Sequence, residues 1–422
     1  MKTIDSQGLS WRGLFVLAVF CGVELAGLVA PVSAEIPPAF TEIKGKWTNG
    51  DPKNTLADPH LLGAATRLGN GQVIAAGGLN RKSLGLPATK RAELYDPATQ
   101  TWTTTGNMNA ARWSLDAITL PNGKALFAGG AEAFSKNPAL DTAEVYDPAT
   151  GKFSLTKNTL SVGRQSLGVS LLNDGRVLLT GGNTTGNNLN GSGTTAVDIY
   201  DMTTNEFHPA APLHEGRALH AQVTLRDGRV VVIGGAQASS EIYDPQKDSW
   251  TLLADKLPST LKDMKAFELP DGQIFIAGGQ NTIDGLTTDA TWYLDPNSGH
   301  LTPGPSMAGF NYSAAGTQVG VSDYSAFDLF PAGHKWHGRF LFFAGGEHDP
   351  LVGDDIEYHS ASIFDVAKKK FLNIGPMPFI HDDHTESLLP INAAGNPELL
   401  LFGGNSSMGT SRFELDVSSI AD

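Results

Sequence analysis

One stretch recurs along this chain and leaves few folds open. Its clearest copy runs from Arg217 to Trp250. Arg217-Ala-Leu-His-Ala-Gln-Val-Thr-Leu leads into Arg226-Asp-Gly-Arg229 and then Val230-Val-Val-Ile-Gly-Gly235. Apolar runs on either side of an Asp-Gly pair mark a β-hairpin. A third run ends at Tyr243, and Asp244-Pro245 turns the chain into a fourth that ends at Trp250. The unit therefore reads as four antiparallel strands. Its Gly-Gly doublet returns at Gly77, Gly129, Gly181, Gly234, Gly278, Gly345 and Gly403, seven copies in all. The preceding turn is Asn70-Gly71, Asn122-Gly123, Asp174-Gly175, Asp227-Gly228 or Asp271-Gly272 in the first five units. Tyr95-Asp96, Tyr146-Asp147, Tyr200-Asp201, Tyr243-Asp244, Tyr293-Leu-Asp295 and Phe364-Asp365 follow the doublets, and then Trp102, Phe153, Phe207, Trp250, Leu301 and Phe371.

The seventh unit has no fourth strand after Phe413 and Asp416, while Phe40 to Thr48 carries Trp47 in the aromatic place. A ring of sheets must join its ends or leave two edges unpaired, so the N-terminal strand is expected to complete the last sheet. Gly-Gly, then Tyr-Asp, then Trp, at about 50 residues per unit, resembles the kelch repeat. The resemblance runs from about Phe40 to Val417. It implies an all-β fold, a seven-bladed kelch β-propeller around a central channel, with the N-terminal strand closing the last blade. In fold alone it is similar to galactose oxidase and sialic-acid mutarotase.

Residues 1–34 read as a signal peptide and 35–422 as a single propeller domain. Lys2 and Arg12 precede an apolar stretch from Leu14 to Val23, and Val32-Ser33-Ala34 suits cleavage before Glu35. Glu24 interrupts the run short of the roughly 20 residues a span needs, so the mature chain is expected to lack one. The expected location is periplasmic or extracellular. Cys21, the sole cysteine, falls inside the leader, so a copper-radical chemistry that requires a Cys joined to a Tyr is not expected. A net charge of −14 argues against nucleic acid or an anionic membrane as partner. A monomer is expected, with no required cofactor. The chain lacks a phosphate-binding Gly-Lys-Ser/Thr loop, a Gly-x-Ser-x-Gly elbow and a His-Glu-x-x-His helix.

In a repeat protein, function is sought where the chain leaves its period, and in loops gathered on one face. The loops that lead into each first strand share a face with the loops after each Gly-Gly. They contribute Asp58 and His60, then Arg112, Arg164, Arg217 and Lys262, and finally His381-Asp382-Asp383-His384. Glu347 and His348 follow the sixth doublet beside that last run. The arginines and lysine read either as an anion-binding arc or as struts pairing with acids inside the propeller. Asp58, His60, Glu347, His348, His381, Asp382, Asp383 and His384 form a second arc. It offers hydroxyl contacts, acid–base groups (His381 or His384 as base) or ligands for a divalent metal, as well as plain solvated loops. The expected partner is an acidic carbohydrate or a protein, bound at one channel mouth. The alternative is an isomerase or lyase acting on an acidic sugar. The sixth unit is longer than its neighbours, and its Phe327, Phe330, His334, Trp336 and His337 are expected on the opposite face.

Overall fold

The local chemistry of each unit produces its sheet. In blade four, Ala221–Thr224, Val230–Ile233, Ser240–Asp244 and Ser249–Leu252 pair in sequence order as an antiparallel sheet. The second strand, Val230–Ile233, is buried along its whole length because neighbouring blades cover both of its faces. The turn before it closes through Gly228, whose φ of +92° suits glycine, while Asp227 Oδ1 accepts from the Arg229 amide at 3.0 Å. In the outer pair of strands Tyr243 packs on Trp250, ring centroids 4.9 Å apart. The same aromatic pair recurs as Tyr95–Trp102, Tyr146–Phe153 and Tyr200–Phe207.

The structure, a computed structural model, describes residues 44–49, 56–57, 60–80, 87–135, 137–186, 193–307, 325–331, 333–344, 361–374, 377, 385–403 and 410–420. Seven four-stranded antiparallel sheets form the blades of a β-propeller. Their first strands are Ala64–Arg67, Asp116–Thr119, Gly168–Leu171, Ala221–Thr224, Lys265–Glu268, Ser325–Asp328 and Thr385–Leu388. These define blades one to seven, and the first strands of blades seven, one, two, three, four and five lie side by side around the channel. Lys44–Asn49 supplies the fourth strand of blade seven, antiparallel to Thr410–Asp416, with Trp47 opposite Phe413. The described part of the closing strand is Lys44–Asn49, and the expected start from Phe40 lies outside the described residues.

The doublets are glycine because the next blade presses on them. A Cβ on Gly129 would stand 2.2 Å from the Arg164 carbonyl, and one on Gly181 would stand 2.2 Å from the Arg217 carbonyl. Those same carbonyls accept from the second glycine's amide, Gly130 at 3.0 Å and Gly182 at 2.8 Å. In blade six, Ser325–Asp328 pairs with Phe340–Ala344 across a long turn. There His337 Nδ1 lies 2.6 Å from Asp328 Oδ2, and the Phe330 ring stacks on His334 at 4.6 Å. This part of the sixth unit is an elongated hairpin closed by its own side chains.

Candidate functional site

The lead-in loops build the channel mouth, and one backbone pattern shapes it. Leu62, Ser114, Ser166, Leu219 and Asp263 all have φ between 50° and 56°. Such left-handed non-glycine residues carry strain of order 1 kcal/mol each and persist only where the surroundings enforce them. Here the surroundings are one another. Ser114 N donates to Leu62 O at 2.8 Å, Ser166 N to Ser114 O at 3.0 Å, Leu219 N to Ser166 O at 3.1 Å and Asp263 N to Leu219 O at 2.9 Å. A belt of backbone hydrogen bonds therefore ties blades one to five together at this mouth. The hydroxyls of Ser114 and Ser166 meet at 2.8 Å on it.

Two residues before each belt position stands the side chain that holds the blade. Arg112, Arg164 and Arg217 occupy it in blades two, three and four, each 0% exposed. Arg112 binds Glu144 at 3.1 Å and gives Nη1 to the Gly129 and Thr142 carbonyls, both at 2.8 Å. Arg217 repeats this with Glu241 at 2.7 Å and the Gly234 carbonyl at 2.7 Å. Arg164 reaches Asp198 at 2.7 Å, but aspartate is one methylene shorter, and Nε and Nη1 of Arg164 are left without partners among the described residues. Burial pulls all three guanidinium pKa values down, and the facing acid opposes it. Burial also pushes the Glu241 carboxyl up, but hydrogen bonds from His214 and the charge of Arg217 outweigh it and hold the group below its usual range.

These positions correct the sequence-based arc. The guanidinium groups of Arg112, Arg164 and Arg217 face acids and carbonyls of their own blades, so they act as struts and not as an open anion cradle. His60 holds the same place in blade one, fully buried, with Nδ1 2.7 Å from Gly77 O and Nε2 3.2 Å from Glu93. Lys262 is out of register: it lies one residue before the belt position Asp263 and pairs with it at 3.0 Å. Leu261 takes the arginine place in blade five, and Trp292 takes the place of the acid, opposite Ile276 as Glu241 is opposite Val232. Leu261 and Trp292 pack in one apolar cluster. Asp58, Glu347, His348, His381, Asp382, Asp383 and His384 lie outside the described residues.

The sequence did carry a signal for the struts. An acid stands two residues before the tyrosine in Glu93, Glu144, Asp198 and Glu241, in the blades whose lead-in loop supplies His60, Arg112, Arg164 or Arg217. The reading also missed charged residues at the start of the inner strands. The first residue of the inner strand is Ala64, Gly168 or Ala221 in blades one, three and four, but Asp116 in blade two and Lys265 in blade five. Blades three and four separate those two, and the charge of Lys265 acts on the Asp116 carboxyl. Glu386, second residue of the inner strand of blade seven, acts on Asp116 as well. Burial pushes the Asp116 carboxyl up to about 7, with its hydrogen bond from the Ala117 amide and the charge of Lys265 opposing. Asp116 and Lys265 form no ion pair among the described residues, and both retain partial exposure.

In blade four His220 fills a place held by Leu115, Leu167 and Met264 in other blades. Its Nε2 meets Thr180 Oγ1 at 2.8 Å, and Nδ1 has no partner among the described residues. Burial, helped by Arg217, drives its pKa down to about 3, so it is neutral at physiological pH. Gly168 makes room, since a Cβ there would stand 2.5 Å from His220 Nε2. Among the described residues no group of three or more His, Cys, Asp or Glu is placed to hold a metal ion.

Fold and repeat together define the class: this is a kelch-repeat β-propeller. The kelch motif model matches residues 61–109. The chain is 26% identical over 281 residues to galactose oxidase of Gibberella zeae, covering 63% of this chain and 34% of that protein. It is 27% identical over 224 residues to human kelch-like protein 23, covering 51% of this chain and 36% of that one. The chain thus spans about a third of the length of the curated relatives it matches. A solved fungal alcohol oxidase of the AA5 family, in complex with copper, superposes with a TM-score of 0.62 at 14% identity, covering 89% of this chain and 78% of that one. That likeness concerns the fold alone. Among the described residues Tyr95, Tyr146, Tyr200, Tyr243 and Tyr293 pack on aromatic partners. No helix among them is long and apolar enough to cross a membrane.

Proposed function

We propose that this chain is an exported binding propeller that takes an acidic glycan or a protein partner at the lead-in-loop mouth of its channel. One observation carries the reading: near that mouth the inner strands of blades two and five begin with Asp116 and Lys265, opposite charges that are partly exposed and form no ion pair among the described residues. In the buried parts of blades two, three and four each strut arginine has an acid. Charge left unpaired where solvent enters is available to a ligand. A thermal-shift screen of acidic and neutral glycans, with and without divalent metal, tests this. Stabilisation by acidic glycans supports it, and a flat response to every glycan together with no co-purifying protein rejects it.

Export rests on the leader-like residues 1–34, and a native mass retaining them would reject cleavage before Glu35. A second reading, an isomerase or lyase on an acidic sugar, is favoured by Asp116. A carboxyl that titrates near neutrality suits a proton shuttle. A divalent metal at the run His381 to His384 remains part of the proposal, tested by the metal arm of the same screen.

A further inference from the structure

In blades one, two and four the strut side chain closes on the carbonyl of its own Gly-Gly doublet, and in blade three it does not. We infer that blade three holds a buried binding site for a single water molecule, which bridges Arg164 Nη1 and the carbonyl of Gly181. The site is independent of the binding reading above.

The comparison between blades is direct. His60 Nδ1 meets Gly77 O at 2.7 Å, Arg112 Nη1 meets Gly129 O at 2.8 Å and Arg217 Nη1 meets Gly234 O at 2.7 Å. The turn that carries this carbonyl is the same in blades two, three and four. Gly129 N, Gly181 N and Gly234 N donate to Thr142 O, Ala196 O and Ser239 O at 3.2, 2.9 and 3.3 Å. Only the side chain differs. Arg164 Nη2 binds Asp198 at 2.7 Å and Leu179 O at 3.3 Å, while Nε and Nη1 have no partner among the described residues. Gly181 O accepts no hydrogen bond among them either. Arg164 is 0% exposed and Gly181 is buried. A donor and an acceptor that bond directly in the neighbouring blades are therefore both left over here, and buried polar groups are rarely left so.

Two side chains explain the difference and make the room. Asp198 stands where blades two and four have Glu144 and Glu241. It is shorter by one C–C bond, about 1.5 Å, and draws the guanidinium toward Leu179 and off the turn. Ala196 stands where Thr142 and Ser239 place a hydroxyl 2.8 and 3.3 Å from Nη2 of their arginines. One methylene and one hydroxyl fewer give space comparable to a water molecule. The ligand must accept from a guanidinium N–H and donate to a carbonyl, and water does both. A halide cannot donate and would lie against the Gly181 carbonyl, with the Asp198 carboxylate on the same guanidinium. A cation would meet the charge of Arg164.

The test is a crystal structure of the full chain at a resolution that shows ordered water, repeated after a bromide soak. A second structure takes the double variant Ala196→Ser with Asp198→Glu, which reproduces the Ser239 and Glu241 set of blade four. The wild type should show one water within about 2.7–3.2 Å of both Arg164 Nη1 and Gly181 O, and no bromide there. The double variant should lose that water, bring Nη1 directly onto Gly181 O and melt no lower than the wild type. Oxygen-17 relaxation dispersion reads the site in solution, where the double variant should hold one long-lived water fewer. Direct contact of Nη1 with Gly181 O in the wild type, or no density between them, would overturn the inference. Bromide at the position would make it a halide site and reject water. An equal number of long-lived waters in wild type and variant would overturn it without any crystal of the variant.

Discussion

Arg112 and Lys265 are both cations near the same channel mouth, and the fold uses them in opposite ways. Arg112 lies two residues before the belt, fully buried, with Glu144 and two carbonyls closing around its guanidinium. Lys265 lies two residues after the belt, partly exposed and with no ion pair among the described residues. Four residues along the repeat separate a strut from a candidate recognition group. The belt of left-handed residues divides them: side chains before it turn into the blade, and the inner strand that follows lines the channel. Charge of one sign, at one mouth, therefore says little about function until its partner is known.

The contrast can be broken most directly at the struts. Arg112→Ala leaves Glu144 buried without its cation and should cost about 3–5 kcal/mol, read as a fall in denaturant midpoint. Replacing Arg217 by Leu and Glu241 by Trp together reproduces the blade-five pair Leu261 and Trp292, and should recover most of the loss of the single Arg217 variant. An Arg112→Ala protein that melts normally but no longer binds acidic glycans would move the arginines back to the ligand.

Asp116 comes next. Its folded pKa, about 7, lies above the unfolded value, so the stability it confers is full at low pH and is lost as pH rises through 7. Asp116→Asn removes that loss. It should stabilise the protein by about 2 kcal/mol at pH 8, roughly half the full linkage value because the lumen partly screens the group, and change little near pH 4. Equal melting shifts at both pH values would place Asp116 in ordinary solvent. His220 has the reverse sign. Its folded pKa is about 3, so its contribution is present above the unfolded value and lost as pH falls below it. The wild type should lose about 2 kcal/mol by pH 5 and His220→Leu should not, as seen in melts over that window. The smallest effect is expected at the belt itself. Ser166→Ala removes the hydroxyl pair with Ser114 and should cost about 1 kcal/mol, with no change in pH dependence.

Much of the fold is legible from residues alone. Seven doublets set the blade number, and Trp47 in register with Phe413 announces the closing strand. The site was legible only in part. His60, Arg112, Arg164 and Arg217 were picked out by period, but their acids lie in the third strand of the same blade, about 24 to 34 residues on, and pairing at that distance depends on sheet register. Asp116 and Lys265 sit at ordinary strand positions, and nothing local distinguishes them from solvent-facing charges. Lys262 misled because it stands one residue after the strut position, which Leu261 fills in blade five.

What the sequence by itself determined is local and periodic: turns where Gly must take positive φ, apolar runs that form central strands, and a unit repeated until the ring closes. Those follow from backbone sterics and the need to bury apolar faces, which act within a few residues or within one repeat. Only the tertiary structure decided which charges are neutralised and which remain available. That depends on closing the ring, because only then does the charge of Lys265 in blade five act on Asp116 in blade two, far apart in the chain.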